Sequence, residues 1–209
     1  MLPEADWLDR AREVIRADAA AAAATLDSVD EIFLAAARVL VGCRGKILVT
    51  GSGTSGSVAE RAAHVFSVCG TPAFYLPPSD GLHGGLGVLQ QDDLVLALSR
   101  GGSSSELNEF CRRAKTLCAG VVAITAEPTS ELATVADHVI HLNLAPDADL
   151  GSVVATGSSV ATATVTDALA EICRVARGYR WDQVLFTHPS GAVGRDAAEV
   201  LVRLLGQTP

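Results

Sequence analysis

Three segments of the sequence combine glycine with hydroxyl side chains: GSGTSGS at 51–57, SRGGSSSE at 99–106 and ATGSS at 155–159. Each stands just before a stretch with helical spacing. The first follows the apolar run KILVT and the second follows DLVLAL. Amides in the first turn of a helix have no acceptor within the helix and lie at the positive end of its dipole. Serine and threonine hydroxyls add neutral donors. Loops of this kind suit a phosphate monoester on a small molecule. The candidate ligands are Ser52, Thr54 and Ser55 in the first loop, Ser99, Arg100, Ser103 and Ser104 in the second, and Thr156 and Ser158 in the third. Helix capping alone would use one or two hydroxyls per loop. It does not account for three consecutive serines at 103–105 beside an arginine and paired glycines. Arg100 either makes a charge-assisted contact with phosphate or points to solvent.

Gly51, Gly53 and Gly56 also satisfy G-x-G-x-x-G, which raises a dinucleotide-binding turn as an alternative. That reading needs an acidic residue at the end of the second strand to hold a ribose hydroxyl. Here the second strand runs into LPPSD, and Asp80 lies beyond two prolines. The phosphate-monoester reading is therefore preferred.

The elements that position these loops follow from periodicity. Residues 6–42 read as two helices, on the alanine run at 19–24 and the spacing of Val14, Ile15, Leu26, Val29, Ile32, Phe33 and Leu40. Asp27 or Ser28 would cap the second. After Gly42, short apolar runs alternate with helical stretches. Strands are expected at 46–50, 73–76, 93–98, 121–125 and 138–142, and helices at 57–68, 103–117, 130–136, 159–177 and 191–205. The strands are apolar along their length, as a parallel sheet covered on both faces requires. The expected fold is α/β: a three-layer α/β/α sandwich with a five-stranded parallel sheet, preceded by two N-terminal helices. Residues 1–44 form a helical arm of the same domain and 45–209 the ligand-binding part. In such sheets the loops at the carboxyl ends of the strands converge on one crevice.

Composition narrows the function classes. The chain has 209 residues, 49% of them hydrophobic, and a formal net charge of −8. That charge opposes binding to nucleic acid or to anionic membranes. No apolar run reaches the ~20 residues of a membrane span, and the acidic start MLPEADWLDR is unlike a signal peptide. A cytoplasmic protein is expected. The five cysteines form no C-x-x-C pair and lie in apolar stretches, so they are read as buried thiols rather than disulfides or metal ligands. His64, His138 and His141 fall within apolar helix or strand patterns and are read as structural.

In their order, GSGTSGS, SRGGSSSE, ATGSS and then THPSGAVG at 187–194 resemble the sugar isomerase (SIS) domain family, most closely its arabinose-5-phosphate isomerase branch. CGTPAFYLPPSDGLHGGLGVL at 69–89 and VVAITAEPTSELATVADHVIHL at 121–142 agree with that branch, and the similarity spans roughly 45–200. The family fold is a five-stranded parallel sheet between helices, and this chain resembles the short form without CBS modules. The resemblance implies aldose–ketose isomerisation of a phosphosugar through an enediol, with no metal and no other cofactor. It implies that Ser55, Ser99, Ser104, Thr156 and Ser158 face the sugar phosphate and that His83 lines the pocket. It implies that Glu106 and His188 move protons, with Asp147, the nearest match by spacing, or Asp149, the second, assisting. Without it, Glu106 reads as a capping-box glutamate; the alternative for His188 is a structural histidine. The late segment can reach a neighbouring subunit's site, and the apolar N-terminal helices fit a homodimer or homotetramer.

The sequence departs from the family pattern at four places, one of them Arg100, which replaces the usual Asn or Gln of the second loop. Thr54 stands where the first loop usually carries a functional lysine. Gly101 replaces a hydroxyl of the second loop. A functional glutamate in a Cys-Pro segment is matched only by Asp147 or Asp149. The implied activity is arabinose 5-phosphate/ribulose 5-phosphate interconversion. Its alternatives are a non-catalytic sugar-phosphate sensor and an isomerase of another phosphosugar, such as a heptose phosphate.

Overall fold

Alternation within the apolar runs sorts the sheet's side chains onto two faces. In the first strand, Ile47 and Val49 point to one side and Leu48 to the other. In the third, Leu94, Leu96 and Leu98 share the first side while Val95 and Ala97 take the second. Both sides are buried, which is why the strands carry no polar alternation. The computed structural model describes residues 3–190 and 196–205.

The strands are β1 (Ile47–Gly51), β2 (Ala73–Tyr75), β3 (Leu94–Leu98), β4 (Gly120–Thr125) and β5 (His138–His141). They form one parallel sheet in the order β2-β1-β3-β4-β5. Helices α2 (Glu31–Gly42), α3 (Thr54–Val68) and α7 (Gly157–Ala176) cover one face, where Phe33, Leu40, Phe66, Val165 and Leu169 are buried. Helices α4 (Pro78–Leu82), α5 (Ser105–Ala114) and α6 (Glu131–Val135) cover the other, through Leu107, Phe110 and Leu132. This is the expected three-layer sandwich. Helix α1 (Trp7–Ala24) lies along α7, with Ala21 packed against Ala148 and Ala161.

Several boundaries differ from the sequence expectation. Neither Asp27 nor Ser28 caps α2. Residues Thr25–Ser28 continue α1 as a 3-10 turn, the chain leaves the helix at Val29, and Asp30 accepts the Phe33 amide at 2.8 Å. Helix α3 starts at Thr54, three residues earlier than expected, so the last four residues of GSGTSGS are helix. Helix α4, a 3-10 turn at Gly85–Val88, and α8 (Trp181–Phe186) were not anticipated. Of the helix expected over 191–205, α9 (Ala197–Leu205) is described, and 191–195 lie outside the described residues. Among the described residues all five cysteines are free, and no helix is long and apolar enough to cross a membrane.

Candidate functional site

The sheet places the first two loops side by side. Gly51 ends β1 directly opposite Leu98, the end of β3. Chain connections leave the sheet in opposite directions on either side of this pair, which is where open α/β sheets form a crevice. A Cβ on Gly51 would meet the backbone oxygens of Ser55 and Leu98 at 2.8 and 2.9 Å, so only glycine lets α3 close over the strand ends here. Gly53 adopts φ +58°, a left-handed turn into α3. Thr54 and Ser55 then occupy the first turn, with amides that have no acceptor within the helix. The Ser52 hydroxyl is buried in the loop without a hydrogen-bond partner. Behind the loop, the Tyr75 hydroxyl lies 3.4 Å from the Gly51 carbonyl. Burial pushes the Tyr75 phenol's pKa up, and Glu60 and Asp80 add to the shift.

The second loop is held from the β4 side. The Arg100 carbonyl accepts the Thr125 hydroxyl at 3.0 Å and the Ala126 amide at 2.9 Å. The Gly102 carbonyl accepts the Leu132 amide at 3.0 Å and the Asn108 side-chain amide at 3.2 Å. Gly102 has φ +60°, and a Cβ there would sit 2.1 Å from the Ser130 hydroxyl. Ser99 accepts the Gly102 amide at 3.1 Å, and Ser104 caps α5 by accepting the Leu107 amide at 3.4 Å. Both hydroxyls shape the loop as acceptors and keep a hydrogen to donate. Ser103 is exposed beside them. Asn108, Thr125 and Ser130 were missed by sequence reasoning. Their only sequence signal is a polar residue within or next to an apolar element.

Glu106 is the second residue of α5, exposed, with no hydrogen bond or ion pair to the described residues. A capping-box glutamate would stand one position later, where the helix has Leu107. Glu106 is therefore a free carboxylate at a helix N-terminus, next to the second loop.

The third loop is joined to the second through Asp149. This carboxylate is buried; its Oδ1 accepts the amides of Thr156 at 3.0 Å and Ser158 at 2.9 Å. Its Oδ2 lies 2.7 Å from Nε of Arg100. Arg100 thus points neither simply to solvent nor only toward a ligand. Thr156 Oγ1 accepts the Leu150 amide at 3.2 Å, and the Ser158 hydroxyl is buried without a partner. Asp147, nearest by spacing to the family glutamate, is exposed and lines a cavity of about 310 Å³ between α1 and the third loop. Asp149, two residues on, carries the contacts within the site.

The histidines fall on opposite sides. His83 ends α4, beyond the carboxyl end of β2, and its Nδ1 lies 2.8 Å from the Ser79 carbonyl. It is exposed on the same edge of the sheet as the first two loops. His188 is not brought there. Helix α7 starts at the third loop, and its 20 residues carry the chain ~30 Å to the other edge. There Tyr179 packs on Gly70, just after the end of α3, and α8 leads into His188. His188 Nδ1 is 2.7 Å from the Val184 carbonyl, so this nitrogen carries a hydrogen, and in the neutral ring Nε2 is the acceptor. Within one chain, Glu106 and His188 lie at opposite ends of the sheet.

Residues 40–172 match the family model described as SIS domain. The chain belongs to the SIS domain family. It is 33% identical over 193 residues to arabinose 5-phosphate isomerase KdsD of Shigella flexneri, covering 92% of this chain and 59% of that protein. The chain thus spans little more than half the length of such curated relatives. Among solved structures, a sugar-phosphate isomerase homologue of Listeria monocytogenes superposes with a TM-score of 0.85 at 29% identity, over 91% of this chain and 100% of that one. The E. coli CFT073 protein c3406, solved in complex with A5P, gives 0.84 at 25% identity, over 90% and 100%.

Within this SIS domain the G-x-G-x-x-G turn has no dinucleotide partner residue. Asp80 sits in α4 beyond Pro77 and Pro78, not at the end of β2. Hydroxyls and first-turn amides from α3 and α5, with one guanidinium, converge where β1 and β3 end. That arrangement can hold an anion and leaves Glu106 beside it.

Proposed function

We propose that this SIS domain is a phosphosugar aldose–ketose isomerase that interconverts arabinose 5-phosphate and ribulose 5-phosphate. The observation that carries the reading is Glu106: a carboxylate with no hydrogen-bond or ion-pair partner among the described residues, in the first turn of α5, beside loops that offer hydroxyls and amides to a phosphate. The similarity to KdsD and to the structure holding A5P supports the choice of sugar. Residues 45–209 form the phosphosugar-binding domain and 1–44 its helical arm.

In this mechanism Ser55, Ser99 and Ser104 hold the phosphate and fix the sugar's reacting end. Glu106 takes the proton from C2 of the aldose, giving a cis-enediol, and returns it to C1. A hydroxyl proton moves from the C2 oxygen to the C1 oxygen, so the sugar is isomerised without net oxidation. Nε2 of His188, an acceptor in the described tautomer, carries that second proton. Because His188 lies at the far end of its own chain, it serves the site of a neighbouring subunit. A homodimer or homotetramer is the working unit. Support comes from Leu8, Ile15, Leu26, Val29 and Ile32, which are 58–76% exposed along the N-terminal arm. The protein acts in the cytoplasm.

A second reading is a sugar-phosphate sensor without turnover. It is favoured by Thr54, exposed and uncharged where the family pattern has a lysine. Proton NMR in D₂O with arabinose 5-phosphate, ribulose 5-phosphate and a heptose phosphate separates the two. Deuterium entering next to the carbonyl, with the partner sugar appearing, is expected. Sugar phosphates that raise the melting temperature with no exchange would establish the sensor instead. Exchange with the heptose phosphate alone would change the substrate and keep the chemistry.

A further inference from the structure

Asp149 has a role that neither its spacing nor the family pattern assigns. A buried carboxylate requires partners, and this one has three: the Thr156 amide, the Ser158 amide and Arg100. Thr156 and Ser158 are the N-cap and second residue of α7. Two of the amides that would make this helix end an anion seat are thus satisfied by the chain's own carboxylate. A substrate phosphate placed there would lie against a buried negative charge.

The same carboxylate orients Arg100. The arginine's carbonyl is fixed by Thr125 and Ala126, and its Nε by Asp149 at 2.7 Å. The Arg100 side chain is still 43% exposed, and its two Nη groups make no hydrogen bond to the described residues. A phosphate dianion held close to Glu106 and Asp149 needs a nearby cation, and Thr54 does not provide one. We infer that Asp149 is a positioning residue: it closes the N-terminus of α7 to phosphate and holds Arg100 as the cation that reads the phosphate at the first two loops. This deepens the proposed function and rests on it.

The test is isothermal titration of the full chain with arabinose 5-phosphate and, separately, inorganic phosphate, over a series of salt concentrations. Four variants are compared with the wild type: Arg100→Gln, Arg100→Lys, Asp149→Asn and the Arg100→Gln/Asp149→Asn pair. Asp149→Asn keeps an oxygen for the α7 amides but turns an NH₂ group toward Arg100. Arg100→Gln should weaken arabinose 5-phosphate binding about tenfold or more, the value of one charge-assisted contact. Arg100→Lys should regain part of that loss. Asp149→Asn should weaken binding several-fold and flatten the salt dependence as Arg100→Gln does. The double variant should lose no more than Arg100→Gln alone, because Asp149 acts through Arg100. Wild-type affinity in Arg100→Gln or Asp149→Asn would overturn the inference, as would losses that multiply in the double variant. If Asp149→Asn does not fold, the two Arg100 variants still decide it, since they alter an exposed side chain. A wild-type protein that binds neither probe would instead remove the proposed function itself.

Discussion

Gly157→Ala should damage the site and the fold together, although alanine is the better helix former. Gly157 is the first residue of α7 and is buried. A Cβ there would lie 2.3 Å from the Ala148 carbonyl oxygen, 3.0 Å from its carbon and 3.1 Å from Cβ of Ala21. The Ala148 carbonyl cannot swing away alone, because the next residue is Asp149, tied to Thr156, Ser158 and Arg100. Overpacking costs about 1–3 kcal/mol, and weakening hydrogen bonds to a carboxylate adds about 1.5–3, against a helix gain under about 1. The net loss is about 2–4 kcal/mol, a fall in Tm of roughly 5–15 °C for a chain of this size. Differential scanning calorimetry reads the shift. Gly42→Ala is the control: it ends α2 with open space around the new methyl, so its Tm should hold or rise slightly. A Gly157→Ala protein with Tm at or above wild type would refute the reasoning, since the third loop would then have room that the contacts deny.

Glu106→Gln should cut carbon-bound proton exchange by about 10²–10⁴-fold at unchanged Tm, because the side chain supports nothing else. Mixed with an equally inactive His188→Asn protein under subunit exchange, it should recover activity; no recovery would place both residues in one chain's site or exclude His188. Burial alone raises the Asp93 carboxyl pKa, but Lys46 and the amides of Lys46 and Gln90 outweigh it and hold it below the usual range. This contribution is present above the ordinary carboxylate pKa of ~3.9 and lost as pH falls through the folded value. Asp93→Asn should therefore cost about 2–4 kcal/mol in urea unfolding above pH ~5, with the gap to wild type closing below pH ~4. Burial pushes the Cys111 thiol up to about 12, with Cys118 adding to it, so a thiol reagent at pH 8 should modify the half-buried Cys69 and Cys118 before Cys111.

The strands were legible because helices cover both faces of the sheet. Runs such as Ile47–Gly51 and Leu94–Leu98 are then apolar at every position, and their ends were placed to within a residue or so. Helix α4 was hidden by its own starting residues. Pro77 and Pro78 directly follow the expected second strand, yet Pro78 is the first residue of α4, where a proline lacks nothing the helix needs. The start of α3 was hidden by Gly56, which read as loop. It is helical, and the space a Cβ would fill is taken by the Gly51 carbonyl and the Tyr75 hydroxyl, both 2.8 Å away. That reason comes from a strand 19 residues downstream, and no local pattern carries it.

The same division runs through the site. Glycine and hydroxyl residues at strand–helix junctions are local signals, and the three loops were found from them. Which carboxylate serves the third loop is not local. Spacing favoured Asp147, while the choice of Asp149 depends on where α7 begins and on Arg100, 49 residues upstream. Arg100 in turn had two readings, solvent or phosphate, because neither considered a partner within the chain. The separation of Glu106 from His188 is also non-local: motif order cannot say at which edge of the sheet a segment ends, but a 20-residue helix between them can. That separation makes assembly part of the catalytic argument. If His188 transfers a proton at all, it does so in a site that one chain does not complete.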